Sequence, residues 1–130
     1  MKKLISALLW ALLLAVSVPS FAQQGKSPTI AVAANANTPS ASVAIQAGRS
    51  AFFLFFDKQG GFVEAVSNPY QEAASAGIPM VDFLVGKGIT VLVAEVFGPN
   101  IVGVMKDKGI RAVEFKGAAQ DAVKKALATK

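Results

Sequence analysis

Neither cysteine nor histidine occurs anywhere in the 130 residues. Without thiols, the chain can form no disulfide and offers no thiolate nucleophile. Without imidazole, it can build no Ser–His–Asp triad and no Cys/His zinc site. Iron–sulfur ligation by protein thiolates is excluded on the same ground. Charge is also sparse, at 16% of residues, and its excess is a modest +5. The basic residues are scattered apart from Lys106/Lys108 and Lys124/Lys125. No stripe of cations interleaved with aromatics points to nucleic acid. Asp82, Glu95 and Asp107 stand too far apart in sequence to read as a paired acid and base. Met80 and Met105 read as packing residues rather than soft-metal ligands. The sequence therefore predicts no catalytic constellation and no metal-ligating set, and the chain reads as a non-enzyme.

What is present is apolar: 53% of residues, enough for one sizeable core at this length. Part of that total belongs to the N-terminus. Lys2 and Lys3 precede a largely apolar stretch from Leu4 to Val18, Pro19 follows, and Ser20-Phe21-Ala22 offers small residues at the positions a signal peptidase reads. Residues 1–22 are expected to be a secretory signal peptide, cut between Ala22 and Gln23. The stretch is shorter than the roughly 20 residues of a membrane span, so the membrane is met only through the signal before cleavage. Export, to the periplasm, follows as an expectation. Removing residues 1–22 leaves 108 residues, in which 11 basic side chains face 8 acidic ones, a net +3.

Residues 23–28 form a short polar leader, and residues 29–130 read as one α/β domain. Thr29 to Ala34 reads as a buried strand, stopped by the turn formers from Asn35 to Ser40. Ser42 to Gly48 is ambiguous and fits a loop. Ala51-Phe-Phe-Leu-Phe-Phe-Asp57 is the strongest strand, and Phe52, Phe53, Phe55 and Phe56 suggest burial on both faces. The turn Asp57–Gly61 then leads back through Phe62–Ser67 as a hairpin, which Asn68-Pro69 ends. Helices are predicted over Gly77–Gly86, from Gly98-Pro99-Asn100 to about Lys108, and over Ala118–Ala128, with strands at Thr90–Ala94 and Arg111–Phe115. The order β-β-β-α-β-α-β-α predicts a mixed sheet whose later strands run parallel.

Ligands of open α/β sheets bind beyond the carboxyl ends of strands. If the first strand lies beside Thr90–Ala94 and antiparallel to the phenylalanine-rich strand, three segments meet there: Asn35–Ser40, Gln46–Ser50 and Glu95–Asn100. Arg49 and the helix start near Pro99 would then favour an anion. Read alone, Gly48 and Gly98 fit turn glycines, Asn35 and Asn37 fit turn formers, and Arg49 fits a surface ion pair.

Several segments, taken in order, carry a family resemblance. They are Thr29–Ala34, Gln46-Ala-Gly-Arg-Ser-Ala-Phe-Phe-Leu-Phe-Phe-Asp57, Asn68-Pro69, Ala76-Gly77-Ile78, Gly88-Ile89, Phe97-Gly98-Pro99-Asn100 and Gly109-Ile110. Together they resemble the dinitrogenase iron–molybdenum cofactor biosynthesis family, of the NifX/NafY type, over about Thr29 to Leu127. The resemblance implies a ribonuclease-H-like fold with a mixed sheet of about five strands flanked by helices. It also implies the binding or carrying of an iron–sulfur or iron–molybdenum cluster, without catalysis. Gly48 and Arg49 match the family's Gly-Arg, and Gly98, Pro99 and Asn100 match its later loop. Where the family often has a histidine, this chain has Gln46. These six residues are the candidate cofactor-binding positions. The alternative is an exported interaction module that keeps the fold, has lost cluster binding and meets a protein partner.

Overall fold

The computed structural model describes residues 27–129; the expected signal peptide and most of the polar leader lie outside the described residues. Five short apolar runs form the strands β1 (Ile30–Ala34), β2 (Phe52–Phe56), β3 (Phe62–Ser67), β4 (Val91–Ala94) and β5 (Arg111–Glu114). Three helices intervene or follow: α1 (Gly77–Gly86), α2 (Pro99–Asp107) and α3 (Ala119–Ala128). The strands make one sheet in the order β3-β2-β1-β4-β5. β1 pairs antiparallel with β2 and parallel with β4, and β5 runs parallel to β4. The element order is the one the sequence predicts, and β1 has the neighbours supposed for it in placing the rim. Among the described residues no helix is long and apolar enough to cross a membrane.

Period-two alternation sorts the core into two halves. Ile30, Val32, Leu54, Phe56, Val91, Val93 and Val113 face α3, where Ala119, Ala122, Val123 and Ala126 cover them. Ala31, Ala33, Phe53, Phe55, Leu92 and Ala94 face the other way, onto Met80, Val81 and Leu84 of α1 and Met105 of α2. Because both faces of the central strands are covered, they read as unbroken apolar runs. On the second face large meets small: Phe55 stands opposite Ala31, and Phe53 opposite Ala33. Alanines on β1 leave room for the two rings, both fully buried. Truncating either ring to alanine removes about 3–5 kcal/mol.

β3 departs from this pattern because it is an edge strand with partial cover. Its residues are exposed or half-buried, and the register slips between Phe55 and Phe56. That is the physical reason its apolar alternation is weak in the sequence. The hairpin turn is fixed by Asp57, whose Oδ1 accepts the N–H groups of Gln59 at 2.9 Å and Gly61 at 2.8 Å. Pro99 occupies the first turn of α2, where a missing N–H costs nothing. Gly109 ends that helix at φ +80°, a conformation side chains disfavour.

Candidate functional site

The carboxyl ends of β1 and β4 point to the same rim, and the segment read as a loop is pinned there by backbone pairing. Ala44 N–H donates to the Ala33 carbonyl at 2.8 Å, and Glu95 N–H donates to that of Ala44 at 2.9 Å. Val96 N–H donates to the Ile45 carbonyl at 3.0 Å, and Gln46 bridges Val96. The chain then makes one 3-10 turn, Ala47–Arg49, before entering β2.

Asn68 holds that turn. It is a buried polar residue at 7% exposure, and its Nδ2 donates to the carbonyls of Gly48 at 3.1 Å and Ser50 at 3.0 Å. Its Oδ1 accepts the Tyr70 N–H at 2.9 Å, so both ends of the amide are used. Ser50, also buried, donates its hydroxyl to the Ala47 carbonyl at 2.9 Å. The strap that follows β3 is fastened twice more. Tyr70 packs edge-on against Phe83 of α1, with centroids 6.1 Å apart. Arg49 Nη1 donates to the Gln71 carbonyl at 2.8 Å.

Between this turn, α1 and the start of α2 lies a cavity of about 190 Å³. Gln46, Ala47 and Gly48 form one wall, Gly77 and Met80 a second, and Val96, Phe97, Gly98 and Ile101 the third. The lining is apolar except for the Gln46 amide and the main chain. Gly98 precedes α2 without a side-chain cap. Its φ of −71° suits any residue, and a Cβ built on it would meet nothing within 4 Å. Neither backbone strain nor a neighbour accounts for glycine here. It borders the cavity and leaves the first N–H groups of α2 without a side-chain cap.

Of the six candidate positions, Gln46, Gly48 and Gly98 line this cavity together. Asn100 lies on an adjoining depression of about 250 Å³, which shares Gly77 and Ile101 with the first. Pro99 begins α2 and contributes no N–H. Arg49 is absent from the cavity lining, and its guanidinium is on the Gln71 carbonyl instead of in a surface ion pair. The segment Asn35–Ser40 also lies elsewhere. The segment and the residue after it serve α3, with Pro39 and Ala41 accepting the N–H groups of Gln120 at 3.0 Å and Ala119 at 2.8 Å. α3 covers the opposite face of the sheet, so the segments after β1 and β4 part company there.

The comparisons fit this geometry. A model of the dinitrogenase iron–molybdenum cofactor family matches residues 28–129. The chain belongs to this family. Among solved structures, a candidate NifB protein from Thermotoga is 27% identical, with a TM-score of 0.66 over 78% of this chain and 89% of that one. The apo form of the orange protein from Desulfovibrio gigas is also 27% identical, with a TM-score of 0.70 over 76% and 86%. No curated protein matches the chain at a significant level.

This member of the iron–molybdenum cofactor family has no thiolate or imidazole to offer a metal. Among the described residues there is also no group of three or more acids able to hold an ion. The residues present therefore do not fit a cluster held by protein–metal bonds. Met80 and Ile101 carry no signal of a cavity wall in the sequence, because an apolar side chain at helical spacing has no mark that separates core from cavity, whereas Phe97 lies in the Phe97-Gly98-Pro99-Asn100 segment. Gly77 had a signal, as part of the Ala76-Gly77-Ile78 segment.

Proposed function

We propose that the domain is a non-catalytic carrier that takes a compact metal–sulfur anion as intact cargo, with no covalent bond between protein and metal. The observation that carries this reading is Gly98: an uncapped helix start beside a cavity, at a position where a capping side chain would fit. Helix N-termini attract anions through their unpaired N–H groups and the aligned peptide dipoles. N–H donors also suit cluster sulfurs, which accept hydrogen bonds. The Met80 thioether and the Phe97 ring offer polarisable walls to a sulfide-rich surface. The volume, well below the about 300 Å³ where drug-sized ligand sites begin, favours a small guest. The signal read at residues 1–22 would place this role in the periplasm.

The test offers the chain lacking residues 1–22 a preformed iron–sulfur or iron–molybdenum–sulfur cluster without oxygen, followed by metal analysis and a visible spectrum. Stoichiometric uptake with a visible band supports the carrier. A colourless, metal-free protein overturns it.

A second reading, an exported interaction module, draws on one observation. Ile45 and Val96 are 63% and 49% exposed and joined through their backbones at the cavity's edge. Of the phenylalanines of β2, Phe53, Phe55 and Phe56 are buried and add nothing to such a surface, and Phe52 is half-buried. On this reading a protein partner would meet the apolar rim formed by Ile45 and Val96.

A further inference from the structure

The sheet has a second open feature, at its β5 edge, which meets the cavity only at Phe97. β5 is its last strand, and a groove of about 540 Å³ runs along it. Val102 of α2 stands on one side, and Lys125 and Thr129, at the end of α3, on the other. The floor is the strand itself, Arg111 to Glu114.

Pairing with β4 determines which backbone groups face the groove. Arg111 N–H donates to the Thr90 carbonyl at 2.8 Å and Phe115 N–H to that of Ala94 at 3.0 Å. In a parallel ladder, alternate residues point both polar groups to one side. Residues 111, 113 and 115 therefore serve β4, whereas the N–H and carbonyl groups of Ala112 and Glu114 face outward. The Glu114 carbonyl shows this directly, accepting Lys125 Nζ at 2.7 Å. Nothing in the sheet takes the two outward N–H groups.

Side chains divide by face as well. Arg111 lies on the α3 side, where Nη2 donates to the Ala126 carbonyl at 2.9 Å. Lys125 is on that side too, and its ammonium stands 6.0 Å from the Phe115 ring centroid. Both cations are met by neutral groups, and among the described residues neither has a carboxylate within 4.0 Å. The groove's one acid, Glu114, is on the α2 side, where Oε2 accepts the Phe97 N–H at 3.2 Å. The α2 side is otherwise apolar, with Val102, Phe97 and Ala112.

We infer that this groove receives an extended acidic segment of a partner protein, which adds to β5 as a sixth strand. Its backbone would meet the outward N–H groups of Ala112 and Glu114 and the Ala112 carbonyl, the Glu114 carbonyl being held by Lys125. Its alternate side chains would be carboxylates toward Arg111 and Lys125, and apolar residues toward Val102. The inference is separable from the cargo reading, because it uses neither Gly98 nor the start of α2, and Phe97 alone borders both openings.

The test uses an end-blocked, fluorescent octapeptide alternating valine with glutamate, and controls in which glutamine or lysine replaces glutamate. The glutamate peptide is expected to bind, to weaken as salt rises, and to slow amide exchange at Ala112 and Glu114. Ala112→Pro deletes an outward N–H and leaves the β4 ladder whole, as edge strands permit. It is expected to weaken binding about tenfold, the worth of roughly one to two hydrogen bonds. Lys125→Glu, at an exposed position of α3, is expected to lower affinity for the glutamate peptide and raise it for the lysine peptide, with the folded state of the variant checked by its thermal melt. Equal binding of the glutamine peptide would overturn the charge match, and indifference to Ala112→Pro would overturn the strand slot. No binding at millimolar peptide would overturn the inference outright. So would protection of the Ala112 amide by self-association without peptide, since the occupant would then be a second copy.

Discussion

The side-chain amide of Asn68 donates to the carbonyl of Gly48 over 3.1 Å, joining residues 20 positions apart. Through this bond the strap after β3 sets the turn that walls the cavity. The amide is buried and fully used, so its loss leaves two carbonyls and one N–H without partners. Asn68→Ala is expected to cost about 2 kcal/mol, read by urea denaturation. It should also abolish cluster uptake under conditions where the chain remains folded. A loss below about 0.5 kcal/mol would mean that water replaces the amide and the turn holds itself.

Gly98→Asp separates fold from function. Aspartate is a good helix cap, so stability should hold or rise by a few tenths of a kcal/mol. The same carboxylate would occupy the uncapped N–H groups and repel an anion, so cluster uptake should vanish. A thermal melt paired with the visible spectrum reads both effects. Full uptake by this variant would move the cargo site elsewhere.

Arg49→Ala asks whether the guanidinium binds cargo or fastens the strap. Its bond to the Gln71 carbonyl is exposed, so the expected loss is about 0.5–1 kcal/mol. Uptake should persist, because Arg49 does not line the cavity. Failure of uptake at unchanged stability would return this cation to the site.

Two glycines distant from the cavity walls should respond in opposite directions. Gly103 lies within α2, and a Cβ there meets nothing within 4 Å. Gly103→Ala should stabilise the protein by about 0.5–1 kcal/mol. Gly117 has φ +141°, and a Cβ would stand 3.0 Å from the Phe115 ring. Gly117→Ala should destabilise by at least about 1 kcal/mol. Chemical denaturation of both variants reads the signs.

The strands and helices were legible because each is an apolar run or stripe bounded by Gly, Pro, Asn or Asp. Thr29–Ala34 and the phenylalanine strand needed no tertiary information beyond burial on two faces. The segment Ser42–Gln46 was not legible, since its extended shape comes from bridges to Ala34, Val96 and Ala118 rather than its own composition. The site was legible in part. Gln46, Gly48 and Gly98 stand out in the sequence through the family resemblance, and the structure places them along one cavity. Arg49 was given an anion because charge is visible in a sequence, but a hydrogen bond to a carbonyl 22 positions away is not. Asn68 was read as a strand terminator for the same reason: its partners are brought to it only by folding.

The central place of β1 also sets a timetable. Ile30 pairs with Phe56, 26 positions later, and with Val91, 61 positions later. The first strand made thus keeps one edge open until β4 is made. Until Val91–Ala94 arrives, a nascent chain presents Ile-Ala-Val-Ala-Ala with one open edge, a stretch free of charge and proline. Such edges recruit strands from other molecules. Distant pairing also slows folding, since a long loop must close first. The interval between synthesis of β1 and of β4 is when this chain is most exposed to aggregation, and when a holdase would protect it most.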